Sequence, residues 1–255
     1  EFALRSLETG KATALLNRLV RQRKLPRDGR GPLIELVGTA GGAGELAILF
    51  SQLKSDGFDP AVHARVLTAL ASAARLRNTR PMGDLSGVGK FLNSDDRAIH
   101  TAAVHLVGAW KQVPQVPALL MIASEGDHAA FDSLVTIRGR KVVQGLKQLA
   151  GEDKSITTRQ AAARALGAIN LKSSLAEIFA VLKATEDANA ALELWRGLLG
   201  GRGAGKLLAG GVAGAGLPKP IVTVGIRAAR EGGRDEKALV AALALSQNIS
   251  LLTKQ

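Results

Sequence analysis

The stretch Arg159-Gln160-Ala161-Ala162-Ala163-Arg164-Ala165-Leu166-Gly167 decides how the chain is read. Alanine and leucine are the best helix formers, so these nine residues have a strong local preference. Laying the final glycine on others aligns Gly108, Gly139, Gly167 and Gly197, separated by 31, 28 and 30 residues. Six residues before each glycine stand Ala102, Ser133, Ala161 and Ala191, all small. Five before stand Ala103, Leu134, Ala162 and Leu192, and two before stand Leu106, Ile137, Ala165 and Trp195. These three positions share one helical face, and the small residue lets a neighbouring helix approach closely.

Upstream of each glycine comes an acid: Asp95-Asp96, Asp127, Asp153 and Asp187. A carboxylate there caps a helix, accepting orphan N–H groups at the positive end of the dipole. A second apolar run follows each glycine. Leu175, Ile178, Phe179 and Leu182 fall at i, i+3, i+4 and i+7; Val142, Val143, Leu146 and Leu149 do nearly the same, and Pro117 opens another run. The predicted unit is helix, turn, helix at about 30 residues, the period of a solenoid. Further out, helices are predicted around Leu15 to Val20, over 32–36, over 46–53, from Asp59-Pro60 to near Arg77, and over 238–246. No segment alternates with period two, and 221–224 is the one β-branched run that invites a strand.

These residues resemble the HEAT-like repeat of the phycobilisome-lyase type. The match covers about 94–197. The resemblance implies an all-α fold, a right-handed superhelix of antiparallel helix pairs of HEAT/armadillo kind, whose concave face binds a partner. The whole chain, 1–255, is expected to form a single domain, with less regular helix pairs at 9–90 and 198–255. It is also similar to helical segments of large bacterial multidomain proteins that carry a sugar-dehydrogenase-like propeller and a c-type cytochrome. Glu1-Phe2 would fit a cloning scar, as expected of an excised piece.

Composition narrows the functional classes. There is no Cys, which excludes disulfides, thiolate metal sites and haem attachment within these residues. Aromatic residues are 3% of the chain, so Ala, Leu, Val and Ile must fill the core. The longest charge-free stretches, such as 207–218, are too short and glycine-rich to span a bilayer, and no signal peptide opens the chain.

Apparent motifs fall short of their chemistry. Gly200-Gly201-Arg202-Gly203-Ala204-Gly205-Lys206-Leu207 imitates a phosphate-binding loop, but Leu207 replaces the magnesium-binding hydroxyl and a helix precedes it instead of a strand. It reads as an inter-helix loop continued by Gly210, Gly211, Gly214 and Gly216; 38–44 reads as another. His100 and His105 are five apart and do not share a face, and no His is followed by Glu, the pair that recurs in HEAT-like di-iron hydroxylases. No catalytic residue, cofactor or metal site is therefore expected.

Charge carries the remaining hint. The net charge is +12, and residues 1–30 and 196–237 each hold eight Lys/Arg against three acids, whereas 91–195 holds eleven of each sign. Arg18, Arg21, Arg23, Lys24, Arg27 and Arg30 form a candidate patch for an anionic partner. The expected function is a non-catalytic binding scaffold or spacer for a protein partner or neighbouring domains. The alternative is nucleic-acid binding through the basic ends, against which the balanced centre counts.

Overall fold

The computed structural model describes residues 25–231 and 236–247. The helix expected around Leu15 to Val20 lies outside them. The described residues are helical, with no strand among them, and they include the 221–224 run. The chain divides into two compact units, Glu1–Leu119 and Leu120–Gln255.

In the first unit the helices are α1 (Leu33–Ala40), α2 (Ala43–Lys54), α3 (Pro60–Arg77) and α4 (Arg97–Ala109), with a 3₁₀ segment at Ser86–Asn93. Helix α3 starts on Pro60, whose fixed φ suits the first helical turn, and ends at Asn78 in the left-handed region, φ 51°. It packs on α1, α2 and α4. Val66, Leu67 and Leu70 of α3 are fully buried, as are Leu46, Leu49 and Leu53 of α2, which packs on it. The expected loop at 38–44 is only the Gly41-Gly42 step between α1 and α2. Gly38 is spent on packing instead, since a Cβ there would lie 2.9 Å from the Ala69 Cβ.

Helix α5 (Val116–Ser124) contains the division between the units. The second unit continues with α6 (His128–Ile137), α7 (Arg140–Leu149), α8 (Ile156–Asn170), α9 (Leu175–Ala184), α10 (Ala188–Leu198), α11 (Ala204–Val212), α12 (Lys219–Arg230) and α13 (Lys237–Ser246). Helix α8 packs on α6 and α10, and α10 on α12; α9 packs on α11, and α11 on α13. Helices α7 and α9 also pack on their sequence neighbour α8, and α13 packs on α12.

The aligned positions behave as the sequence implies at the core and differently at the glycines. Every residue at the three aligned face positions is buried, from Ala102 to Trp195. Asp96, Asp127 and Asp187 cap α4, α6 and α10, accepting from backbone N–H groups at 2.7–3.2 Å. Asp153 does not cap α8; Ser155 does, accepting from the Thr158 N–H, and Asp153 pairs with Lys154. Of the four glycines, only Gly139 separates two helices, with φ +97°. Gly167 and Gly197 lie inside α8 and α10, where a Cβ would meet Leu198 at 2.7 Å and the Arg164 stem at 3.2 Å. The repeated glycine is thus mainly a packing device.

The glycine-rich stretch after α10 is another correction. Gly205, Gly210 and Gly211 sit in α11, not in a loop. Ala204, Leu208 and Val212, at i, i+4 and i+8, are buried and hold that helix down.

Candidate interaction surface

The basic patch read from the sequence is only partly described. Arg18, Arg21, Arg23 and Lys24 lie outside the described residues. Arg27 donates to Asp59 at 2.9 Å, and Arg30 is bonded to Asp28. Both described members are therefore already matched to carboxylates. Hydrogen bonds from the Arg30 backbone and side chain hold Asp28 below the ordinary carboxylate range.

Two grooves on the helix rows were not singled out by sequence reasoning. One, about 370 Å³, lies among α1, α3 and α4 over Gly38, Ala64, Thr68, Ala69, Ser72 and Ala98. Its floor is small because Ala64, Thr68 and Ser72 recur at i, i+4 and i+8 of α3. At its rim Arg65 bonds Glu35 at 2.8 Å and donates to the Gly29 carbonyl at 3.1 Å. The second groove, about 360 Å³, lies between α6 and α8 over Phe131, Val135, Ala161, Ala165 and Ala168. His128, Asp132 and Arg164 supply its polar edge. A row of small residues at helical spacing is the sequence signal that reveals such grooves.

Several titratable groups among the described residues are engaged locally. Among the described residues no group of three or more His, Asp or Glu is placed to hold a metal ion. His63 and His100 each face a backbone carbonyl, Phe58 at 3.2 Å and Leu92 at 2.6 Å. Asp28, Asp84, Asp153 and Glu231 are displaced downward by Arg30, Ser86, Lys154 and Arg196 in turn. Lys206 sits exposed in the first turn of α11 after helix α10, so the strand-loop-helix geometry of a phosphate-binding loop is missing there. Trp110 and Trp195 are fully buried and offer no stacking surface.

Arg159 is buried and donates to the Ala150 carbonyl at 3.3 Å. It ties the turn before α8 to that helix. Among the described residues no helix is long and apolar enough to cross a membrane. Compared with protein-family models, curated proteins and solved structures, the chain matches none of them.

Proposed function

We propose that the chain is a non-catalytic binding scaffold, a solenoid of antiparallel helix pairs that engages a protein partner or neighbouring domains of a larger chain. The observation that carries this reading is the alternation of contacts in the second unit, where α6, α8, α10 and α12 pack in succession beside the succession α9, α11, α13. Such stacking gives each helix pair neighbours on both sides and leaves extended surfaces lined by repeated positions. The small-residue grooves at Thr68 and Asp132 suit side chains of a docked polypeptide. The nucleic-acid alternative rests on the basic terminal segments, and Arg27 and Arg30 already face acids of the same chain.

The test is affinity capture from the source cells, run with and without nuclease treatment, with wild type beside Thr68→Arg and Asp132→Arg, each plugging one groove. A protein retained by wild type and reduced at least about tenfold by one plug, with the unfolding midpoint unchanged, supports the reading. Capture of nucleic acid alone overturns it.

A further inference from the structure

The acids and bases that cancel in the count over residues 91–195 are partly separated in space, and the basic side continues into 196–206. In the second unit, the turns leading into α6, α8 and α10 carry Glu125 and Asp127, Glu152 and Asp153, and Glu186 and Asp187. The turns leaving those helices, with the first turn of the next, carry Arg138, Arg140 and Lys141, then Lys172, then Arg202 and Lys206. All of these cations are exposed, and none forms an ion pair among the described residues. Acids on this side are already paired, Glu177 with Lys147 at 2.7 Å and Glu193 and Glu231 with Arg196. The intervening helices have 10, 15 and 11 residues, so the two kinds of turn stand about 15–22 Å apart at 1.5 Å per residue. Screening at physiological salt acts over about 8 Å, so neither side neutralises the other.

Neighbouring basic turns lie alongside each other. Lys147 of α7 donates to the Ser173 carbonyl, in the turn after α8, at 3.2 Å. A cleft of about 500 Å³ is bordered by Arg140 and Gln144 on one side and Asn170 and Ser173 on the other. The ends of α8 and α10 meet where Gly167 faces Leu198. The end of α12 is joined to α10 by Glu231, which Arg196 holds at 2.7 Å.

Folding does not ask for all of these cations. Arg138 and Lys172 follow the C-terminal ends of α6 and α8, where positive charge suits the helix dipole. Arg140, Lys141 and Lys206 occupy the first turns of α7 and α11, which hold no acid and whose dipoles favour one. At the opposite edge Asp127 and Asp187 obey that preference at α6 and α10, whereas Lys219 opens α12 without an acid.

We propose that this basic edge binds an acidic polypeptide segment laid across the three turns, its carboxylates meeting Arg140, Lys172 and Lys206. The proposal rests on the scaffold reading and names its partner's chemistry. Packed helices stand about 8–10 Å apart, and a polyproline II chain returns to the same face every three residues, about 9.3 Å at 3.1 Å per residue. An extended segment with an acid at every third position therefore keeps step with successive turns. Single-stranded nucleic acid would need stacking platforms, and every Phe and Trp among the described residues is buried. A duplex offers one charge per about 1.7 Å, roughly six over one such step, against one to three cations per turn.

Fluorescence anisotropy with the full chain tests this, using a labelled peptide of about five Glu-Pro-Pro repeats beside a Lys-Pro-Pro peptide, a short duplex and an oligothymidine. The expected result is salt-sensitive binding of the acidic peptide alone. Arg140→Glu, Lys172→Glu and Lys206→Glu together should weaken it at least about tenfold, and Lys154→Glu, Lys183→Glu and Lys219→Glu together less than about twofold. The two variants change net charge equally, so equal losses overturn the edge as the site. Tighter binding of the duplex than of the acidic peptide overturns the choice of partner, and no peptide binding overturns the proposal. A protein captured through a groove and indifferent to the edge reversal refutes the edge while leaving the scaffold standing. Failure of capture together with failure of peptide binding removes both.

Discussion

Gly225 of α12 is the sharpest place to test the packing. A Cβ at this position would lie 2.9 Å from Trp195 Cε2, 3.0 Å from its Nε1 and 3.1 Å from Leu243 Cδ1. The indole is a rigid plate with no exposed surface; its N–H donates to the Ile221 carbonyl at 3.2 Å, and Phe179 packs edge-on at 6.4 Å. It has little room to yield. Gly225→Ala should therefore incur overpacking of about 2–3 kcal/mol, the upper part of the usual range, because two ring atoms and Leu243 crowd one methyl. Against this stands about 1 kcal/mol of gained helix propensity. The net expectation is a loss of about 1–2 kcal/mol. Trp195→Leu alone should lose about 2–3 kcal/mol through the cavity and the missing hydrogen bond. In the double variant the methyl enters the vacated space, so only its helix propensity remains. The double variant should then be about 1 kcal/mol more stable than Trp195→Leu, giving a coupling of about 2–3 kcal/mol. Urea unfolding of the four proteins, followed by far-UV circular dichroism, measures the cycle. Stabilisation by Gly225→Ala alone, or effects that add within about 0.5 kcal/mol, would refute the packing argument.

Three further outcomes are expected. Asp127→Ala and Asp187→Ala should each lose about 1 kcal/mol of stability in the same unfolding assay, because each removes a cap; Asp153→Ala should change little, because Ser155 caps α8. Arg140→Glu and Lys206→Glu should each raise stability by about 0.3–1 kcal/mol at low salt, with the gain shrinking as salt is added, since each places an acid at a helix N-terminus. Glu231 is held below the ordinary range first by Arg196 and then by Arg227, so its contribution is present above about pH 4.3 and is lost as pH falls through its lower folded value. A carboxyl NMR titration should place its midpoint below about 4.3 and move it upward in Arg196→Gln.

Helix positions were legible because they depend on local rules. Asp59-Pro60 and the spacing of Val62, Val66, Leu67 and Leu70 suffice to place α3, which runs Pro60–Arg77. The aligned face positions were legible for the same reason, since burial follows helical periodicity. What the glycines do was not. A glycine inside a helix and a glycine ending one look alike in a single chain, and the difference is made by a neighbour about 30 residues away. Leu198 fixes the use of Gly167, and Trp195 with Leu243 that of Gly225. The helix α11 was hidden likewise, because Gly205, Gly210 and Gly211 lower its intrinsic propensity and the burial of Leu208 and Val212 restores it.

The charge pattern shows why a correct count can mislead about a surface. Eleven acids and eleven bases in 91–195 describe a neutral segment only if charges close in sequence are close in space. In a helical repeat they are not, because each helix carries the chain about 15–22 Å before it turns. Acids gather where α4, α6 and α10 begin, since an N-cap requires an acceptor, and Asp96, Asp127 and Asp187 meet that requirement. Several of the balancing bases fall at the other ends, while Lys154 stays beside Asp153. Arg138 and Lys172 gain from the dipoles of the helices they follow, so part of the segregation is a by-product of helix physics. Arg140 and Lys141, with Lys206 beyond the segment, differ: they stand at helix N-termini, where the rule that placed the aspartates would place acids again. A cation kept against its local electrostatic preference on a solvent-exposed turn stabilises nothing in the fold, and an anionic partner is the interaction that gives it a favourable one.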